Sequence, residues 1–323
     1  MPTIEVSGLT KRYERVTALD GLTFALEQGI VGLMGANGAG KSTLIKILLG
    51  LLPPTSGSAR VLGLDSTTQG LTARERIGYM PEHDCLPPDV SAATFIGNMA
   101  QLSGLPPREA QSRTADTLRY AGLDEARYRP IGGYSTGMKQ RVKLAQALVH
   151  DPEILFLDEP TNGLDPTGRE QMLELVRRTG HGTGLCIVMS THLLADVEAI
   201  CDQVVVLDGG QLLHAGPLAD YTSASPYLTV GTTVEGVHAL AAELTRRGLR
   251  AQADTDTVVV DFTGDATYDA IRDAAAVLNL PLLKLARRRT SLADLFRVPS
   301  LASLPPSSNG AARHAAPTSQ DAP

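Results

Sequence analysis

The chain has 323 residues and no tryptophan, and aromatic residues make up only 4% of it. Hydrophobic residues still reach 43%, so Ala, Leu and Val must fill most of the core. Cysteine is scarce: Cys85, Cys186 and Cys201 form no C-x-x-C pair and their number is odd. That excludes a disulfide framework and argues against a thiolate metal site. Apolar runs such as Ile154–Leu157 and Val204–Leu207 are strand-sized, far below the ~18–20 residues needed to cross a bilayer. The opening Met1-Pro2-Thr3-Ile4-Glu5 lacks the basic and apolar regions of a secretory signal. The chain is therefore expected to be soluble and to stay inside the cell. A basic excess is missing too: the net charge is −6 and the pI about 5.7, which argues against a nucleic-acid partner. Arg287-Arg288-Arg289 is the one obvious basic run, and a solvated strand end is its plainer reading.

The length suits one large domain or two smaller ones. Over residues 1–220, short Val-, Ile- and Leu-rich runs (Ile30–Met34, Ile154–Leu157, Cys186–Met189, Val204–Leu207) alternate with helical stretches at Lys41–Gly50, Gly137–His150 and Gly168–Thr179. This pattern predicts an α/β domain with a mostly parallel sheet. Periodic apolar residues over Leu86–Ala126 predict a helical insertion. Tyr221–Pro226 reads as a linker. Beyond it comes strand Tyr227–Gly231, helix Val234–Arg247, strand Leu249–Ala253, strand Thr257–Phe262, helix Ala266–Leu278 and strand Leu282–Leu285. That β-α-β-β-α-β order suggests a small ferredoxin-like α+β unit over residues 221–298, closed by a short helix at Leu292–Arg297. Residues 299–323 are rich in Ser, Pro and Ala with little to bury, and are expected to be disordered. No repeat of 20–50 residues is present.

The chemistry begins at Gly35-Ala36-Asn37-Gly38-Ala39-Gly40-Lys41-Ser42-Thr43, which fits G-x-x-x-x-G-K-[ST]. It follows an apolar strand and opens an apolar helix, the context that motif requires. Its glycines let backbone N–H groups converge on phosphate oxygens. The helix N-terminus adds unpaired donors and a positive dipole end. Lys41 can reach the β- and γ-phosphates, Ser42 can ligate Mg²⁺, and Thr43 faces the α-phosphate side. A bare Gly-rich turn with a surface lysine is the alternative, and the complete motif in its strand–loop–helix setting weighs against it.

A second apolar strand, Ile154-Leu155-Phe156-Leu157, ends in Asp158-Glu159. Asp158 at the strand end can hold Mg²⁺ through water, and Glu159 can orient and deprotonate an attacking water. Cleavage of a phosphoanhydride needs positioning, a base and charge neutralisation. Alone, the pair reads equally well as a solvated cap or turn. Together with the phosphate loop it reads as a hydrolytic site.

With these motifs the sequence resembles the ATP-binding subunits of ABC transporters. Tyr134-Ser135-Thr136-Gly137-Met138-Lys139-Gln140-Arg141 looks like the family's signature motif, Gly163-Leu164-Asp165 like its D-loop, and Ser190-Thr191-His192 like its switch histidine motif. Tyr13 sits where the family places an aromatic that stacks on adenine. The resemblance implies a P-loop NTPase fold, an ABC ATPase domain over residues 1–220 with a helical subdomain at about 86–150. It implies ATP and Mg²⁺ as ligands, with Ser42, Glu82 and Asp158 on the metal and His192 as γ-phosphate sensor. Asp165 is among the implied nucleotide-binding residues, and Ser135 and Gly137 meet the γ-phosphate of a partner subunit, so a head-to-tail dimer of two copies, or of one copy with a paralogue, is implied.

Two departures stand out. Glu82 occupies the place where the family often has Gln, and Thr136 a place where Gly is frequent. The exporter branch of the family accepts both, and its C-terminal ending resembles Ser291-Leu292-Ala293-Asp294-Leu295-Phe296. The expected role is thus the motor of an ABC-2-type exporter. It would dock on the cytoplasmic face of the membrane through a separate permease of about six helices per subunit. The contact would be a groove between the Glu82 loop and Leu86–Ala126. A soluble ABC ATPase acting on ribosomes or DNA, and a module that binds ATP without turnover, are the competing readings. The first lacks tandem cassettes or long coiled coils here, and an intact Glu159 speaks against the second.

Overall fold

The structure is a computed structural model that describes residues 2–222, 224–254 and 256–289. The expected closing helix, the Ser291–Phe296 match and the tail lie outside the described residues. In chain order the first strands are β1 (Ile4–Arg12), β2 (Thr17–Leu26), β3 (Ile30–Met34), β4 (Ser56–Val61), β5 (Leu64–Asp65), β6 (Ile77–Met80), β7 (Ile154–Asp158), β8 (Cys186–Thr191), β9 (Gln203–Asp208) and β10 (Gln211–Pro217). The helices among them are α1 (Lys41–Leu48), α2 (Gly70–Glu75), α3 (Ala92–Leu102), α4 (Pro107–Tyr120), α5 (Thr136–Leu148), α6 (Pro166–Thr183) and α7 (Leu194–Ile200).

The central sheet runs β10-β9-β3-β8-β7-β6. Its pairings are parallel except for β9 with β10. Every residue of β3 and β7 is buried, as expected for strands covered on both faces. On one face Leu33, Phe156 and Val188 pack with Ile4, Leu9 and Leu22 of a second, antiparallel sheet ordered β2-β1-β4-β5. On the other face Met34, Leu155 and Met189 meet α5, α6 and α7 through Leu144, Met172 and Val197. The strands that carry the site therefore end in a rigid, doubly covered layer.

The antiparallel sheet was not expected. Its pattern is broken in β1, where the register shifts between Val6 and Leu9 around Gly8, whose φ is +54°. A bulge of this kind cancels the alternation that marks a strand. Helices α3 and α4 lie within the stretch Leu86–Ala126. Ser91 caps α3 by accepting from Thr94 N–H, Pro107 opens α4, and both pack on α5 around Ile96, Leu118 and Val142.

The remaining elements are α8 (Ala219–Thr222), β11 (Ala224–Gly231), α9 (Val237–Arg246), β12 (Ala251–Ala253), β13 (Thr257–Asp261), α10 (Ala266–Val277) and β14 (Lys284–Arg289). The four strands make an antiparallel sheet ordered β12-β13-β11-β14. Its core of Leu228, Val230, Leu240, Val258, Val260 and Ile271 draws only on these elements. The segment read as a linker is instead structured. Most of Tyr221–Pro226 belongs to α8 and β11, because Ala224 already pairs with Arg289. The last strand is shifted too: Gly231 pairs with Lys284 and Val230 with Leu285, which sets β14 at Lys284–Arg289 instead of Leu282–Leu285. The basic run thus lies in a strand, and the Arg287 guanidinium sits 3.9 Å from the Phe262 ring centroid, a cation–π contact. No helix among the described residues is long and apolar enough to cross a membrane.

Candidate functional site

β3 hands the chain to the Gly-rich loop, and α1 starts at Lys41. Gly38 and Gly40 adopt φ of +85° and +103°, the left-handed region that a side chain resists. A Cβ on Gly40 would stand 2.6 Å from the Ala18 carbonyl oxygen. Lys41 is buried, and its Nζ donates to the carbonyls of Gly35 at 2.8 Å and Ala36 at 3.3 Å. Asn37 through Thr43 line one cleft of about 750 Å³ together with Glu82, Asp158, Glu159 and His192.

The two acids arrive together at the end of one strand, β7. Asp158 ends β7 opposite Ser190 of β8, and Ser190 Oγ donates to Asp158 Oδ1 at 2.6 Å. The same hydroxyl accepts from Glu159 N–H at 2.9 Å. Glu159 has a φ of +49°. For a residue with a Cβ this costs on the order of 1–2 kcal/mol, strain of the kind that gathers at functional sites. His192 Nδ1 lies 3.0 Å from Glu159 Oε2, and Lys41 Nζ lies 3.9 Å from Oε1. Burial pushes the Glu159 carboxyl above its ordinary value, while His192 and Lys41 pull it back down. A buried carboxylate held between the His192 imidazole and the Lys41 ammonium suits a base that acts on a water in the cleft.

Glu82 follows β6, and its Oε1 accepts from Asn162 Nδ2 at 3.4 Å. Ser42, Glu82 and Asp158 therefore offer a hydroxyl and two carboxylates to one space. That donor set fits Mg²⁺, which takes one or two carboxylates alongside phosphate oxygens and water.

Ser135, Gly137 and Asp165 lie elsewhere, in a separate concavity of about 700 Å³ lined also by Met138, Gly163 and Leu164. Ser135 caps α5, its Oγ accepting from Met138 N–H at 3.3 Å. Asp165 caps α6 by accepting from Gly168 N–H at 3.2 Å. Tyr13 is half exposed and is not part of the cleft wall, although Val16, Thr17 and Ala18 just beyond it are. The structure thus brings together the loop, Glu82, Asp158, Glu159 and His192, and keeps Ser135, Gly137, Asp165 and Tyr13 apart from them. Sequence reasoning assigned no role to Ser190 or Asn162. Their nearness to His192 and Glu159 in the chain was the available signal.

A family model described as ABC transporter matches residues 19–162. The uncharacterized ABC transporter ATP-binding protein YxlF of Bacillus subtilis is 40% identical over 218 residues, 67% of this chain and 72% of its own. This chain belongs to the ATP-binding proteins of ABC transporters. As a member it is an ATP-binding ATPase. The daunorubicin/doxorubicin resistance ATP-binding protein DrrA of Streptomyces peucetius is 32% identical across 91% of each chain. Among solved structures, cbiO1 of Clostridium perfringens, part of the ABC transporter complex cbiONQ, matches with a TM-score of 0.63 at 27% identity. It covers 76% of this chain and 97% of its own.

Proposed function

We propose that this ABC ATPase powers export through a separate membrane permease, working as a head-to-tail dimer with a second copy or a paralogue. The observation that carries the dimer is the division of the site. The phosphate loop and Glu159 share one cleft, while Ser135, Gly137 and Asp165 share another. Each ATP would then be held by the loop of one subunit and the signature cluster of the next. Export and a permease partner are supported by the likeness to DrrA along 91% of both chains.

At the cleft, Lys41 and the loop N–H groups bind the β- and γ-phosphates. Glu159 accepts the proton of the attacking water, and His192 holds that carboxylate and senses the γ-phosphate. Ser42, Glu82 and Asp158 would hold Mg²⁺, which supplies charge neutralisation at the phosphate oxygens. Tyr13, in the turn closed by its N–H on the Val16 carbonyl, would reach the adenine over the cleft edge formed by Val16–Ala18. ATP binding closes the dimer and hydrolysis reopens it.

Residues 1–220 would be the ATPase domain, with the helical subdomain at about 86–150, and residues 221–298 an accessory domain. Its element order and its strand order β12-β13-β11-β14 support a ferredoxin-like reading. The permease, of about six helices per subunit, would insert short cytoplasmic helices between the Glu82 loop and α3–α4, holding this chain on the cytoplasmic face. The test is co-purification from detergent-solubilised membranes. A multispanning membrane protein retained at one to one supports the proposal, and a ribosomal particle or nucleic acid in its place overturns it.

A further inference from the structure

The loop that carries Glu82 is gripped from below by the helix that carries the signature cluster. Lys143 of α5 is 3% exposed, and its Nζ donates to the carbonyls of two consecutive residues, Pro81 at 2.8 Å and Glu82 at 2.9 Å. One turn earlier on the same helix face, Lys139 Nζ lies 2.9 Å from Asp84 Oδ2. A third tie runs through the Glu159 loop. Gln140 Nε2 donates to the Asn162 carbonyl at 3.2 Å, and Asn162 Nδ2 donates to Glu82 Oε1 at 3.4 Å.

An ammonium this deeply buried is costly unless its protons are satisfied and its charge is matched. Burial indeed lowers the Lys143 pKa, while Asp84 and Glu82 counter that effect. An apolar side chain of similar length, such as Met, would fill the same space without this cost. What the lysine adds is a fixed backbone position for Glu82, whose carboxylate lines the nucleotide cleft. Ser135 and Gly137 sit at the start of the same helix, so loop and signature cluster are braced as one body.

The geometry points to Lys143 as a positioning residue that sets the Glu82 carboxylate toward the divalent cation accompanying the nucleotide, and couples it to the signature helix. This rests on the reading of Glu82 as a metal-facing group.

The experiment is equilibrium binding of a fluorescent ATP analogue to the full chain, titrated with Mg²⁺ and repeated in chelator, with thermal melting of every variant. Lys143→Met is expected to raise the Mg²⁺ midpoint about tenfold, as loss of a group behind a metal ligand does. Its affinity for the analogue in chelator is expected to change by less than about twofold, because the phosphate loop is untouched. In a Glu82→Ala background the same substitution is expected to move the Mg²⁺ midpoint by less than about twofold, since the two residues act in series. An equal loss with and without metal, full additivity in the double variant, or an unmoved midpoint each overturns the inference. If Lys143→Met does not fold, Lys143→Arg keeps the charge but cannot place one nitrogen on both carbonyls. It should raise the Mg²⁺ midpoint in the same way, and an unmoved midpoint overturns the inference. If wild type binds the analogue without any response to Mg²⁺, the reading of Glu82 falls first and the inference with it.

Discussion

His192 Nδ1 stands 3.0 Å from Glu159 Oε2, while Lys41 Nζ stands 3.9 Å from the other carboxylate oxygen. The carboxylate is thereby held in place from both ends, one end by a residue of the phosphate loop and the other by the loop after β8. Nucleotide engaging Lys41 and His192, as proposed, would alter both holds on Glu159. On the proposed reading of Glu159 as base, a γ-phosphate would act on it through two contacts instead of one.

Removing the charge of Glu159 separates binding from turnover. Glu159→Gln keeps the shape and is expected to bind ATP with affinity near wild type while hydrolysis falls by roughly 10²–10⁴-fold. Lys41→Ala is expected to lose tight binding itself. Phosphate-release assays beside equilibrium binding check both, and wild-type turnover in Glu159→Gln would remove the base assignment.

The pH profile follows from the burial of Glu159. A base works ionised, and burial raises its pKa above the ordinary 4.5. The acid limb of kcat/KM is therefore expected above the midpoint of an ordinary glutamate, with activity lost as pH falls through it. His192 pulls that pKa down by charge and by hydrogen bond. Its removal in His192→Ala should move the limb to higher pH in whatever activity remains. A limb that stays put, or moves to lower pH, contradicts this coupling.

Ser135 tests the divided site. Its hydroxyl caps α5, so Ser135→Ala is expected to cost about 1 kcal/mol of stability. It lies in a different concavity from the phosphate loop, so ATP affinity of the single subunit should be unchanged. ATP-driven dimerisation, followed by light scattering in a Glu159→Gln background, should weaken. Equal dimerisation with and without the hydroxyl counts against a role across the interface.

The phosphate loop, β3 and β7 were legible because each rests on local chemistry: glycines before a lysine, and an unbroken apolar run. The parallel strands β3, β7, β8 and β9 were read within two residues because burial on both faces makes them continuously apolar, whereas the short parallel strand β6 at Ile77–Met80 was not read. What could not be read is set by distant partners. The sheet containing β1 hides behind its bulge at Gly8. Ser190 becomes a site residue only because register sets it against Asp158. The α8–β11 segment looks like a linker until Ala224 meets Arg289. The division of the signature residues from the cleft was expected from the family resemblance, not from spacing.

Two glycines distinguish backbone demand from mere presence in the loop-and-helix framework. Gly40 has a φ of +103°, and a Cβ there would lie 2.6 Å from the Ala18 carbonyl, a backbone atom on the strand that edges the cleft. Gly40→Ala combines a disfavoured conformation with that clash and is expected to cost on the order of 2–3 kcal/mol, lowering the melting temperature by roughly 4–10 °C. ATP affinity should fall as well, since relief requires the phosphate loop to move away from Val16–Ala18. Gly182, in the last turn of α6, has nothing within 4 Å of a built Cβ. Gly182→Ala should leave binding alone and stabilise by about 0.5–1 kcal/mol through helix propensity. Calorimetry and nucleotide titration on the pair decide the matter. If Gly40→Ala melts and binds like wild type, the left-handed turn is not what holds the loop in its cradle.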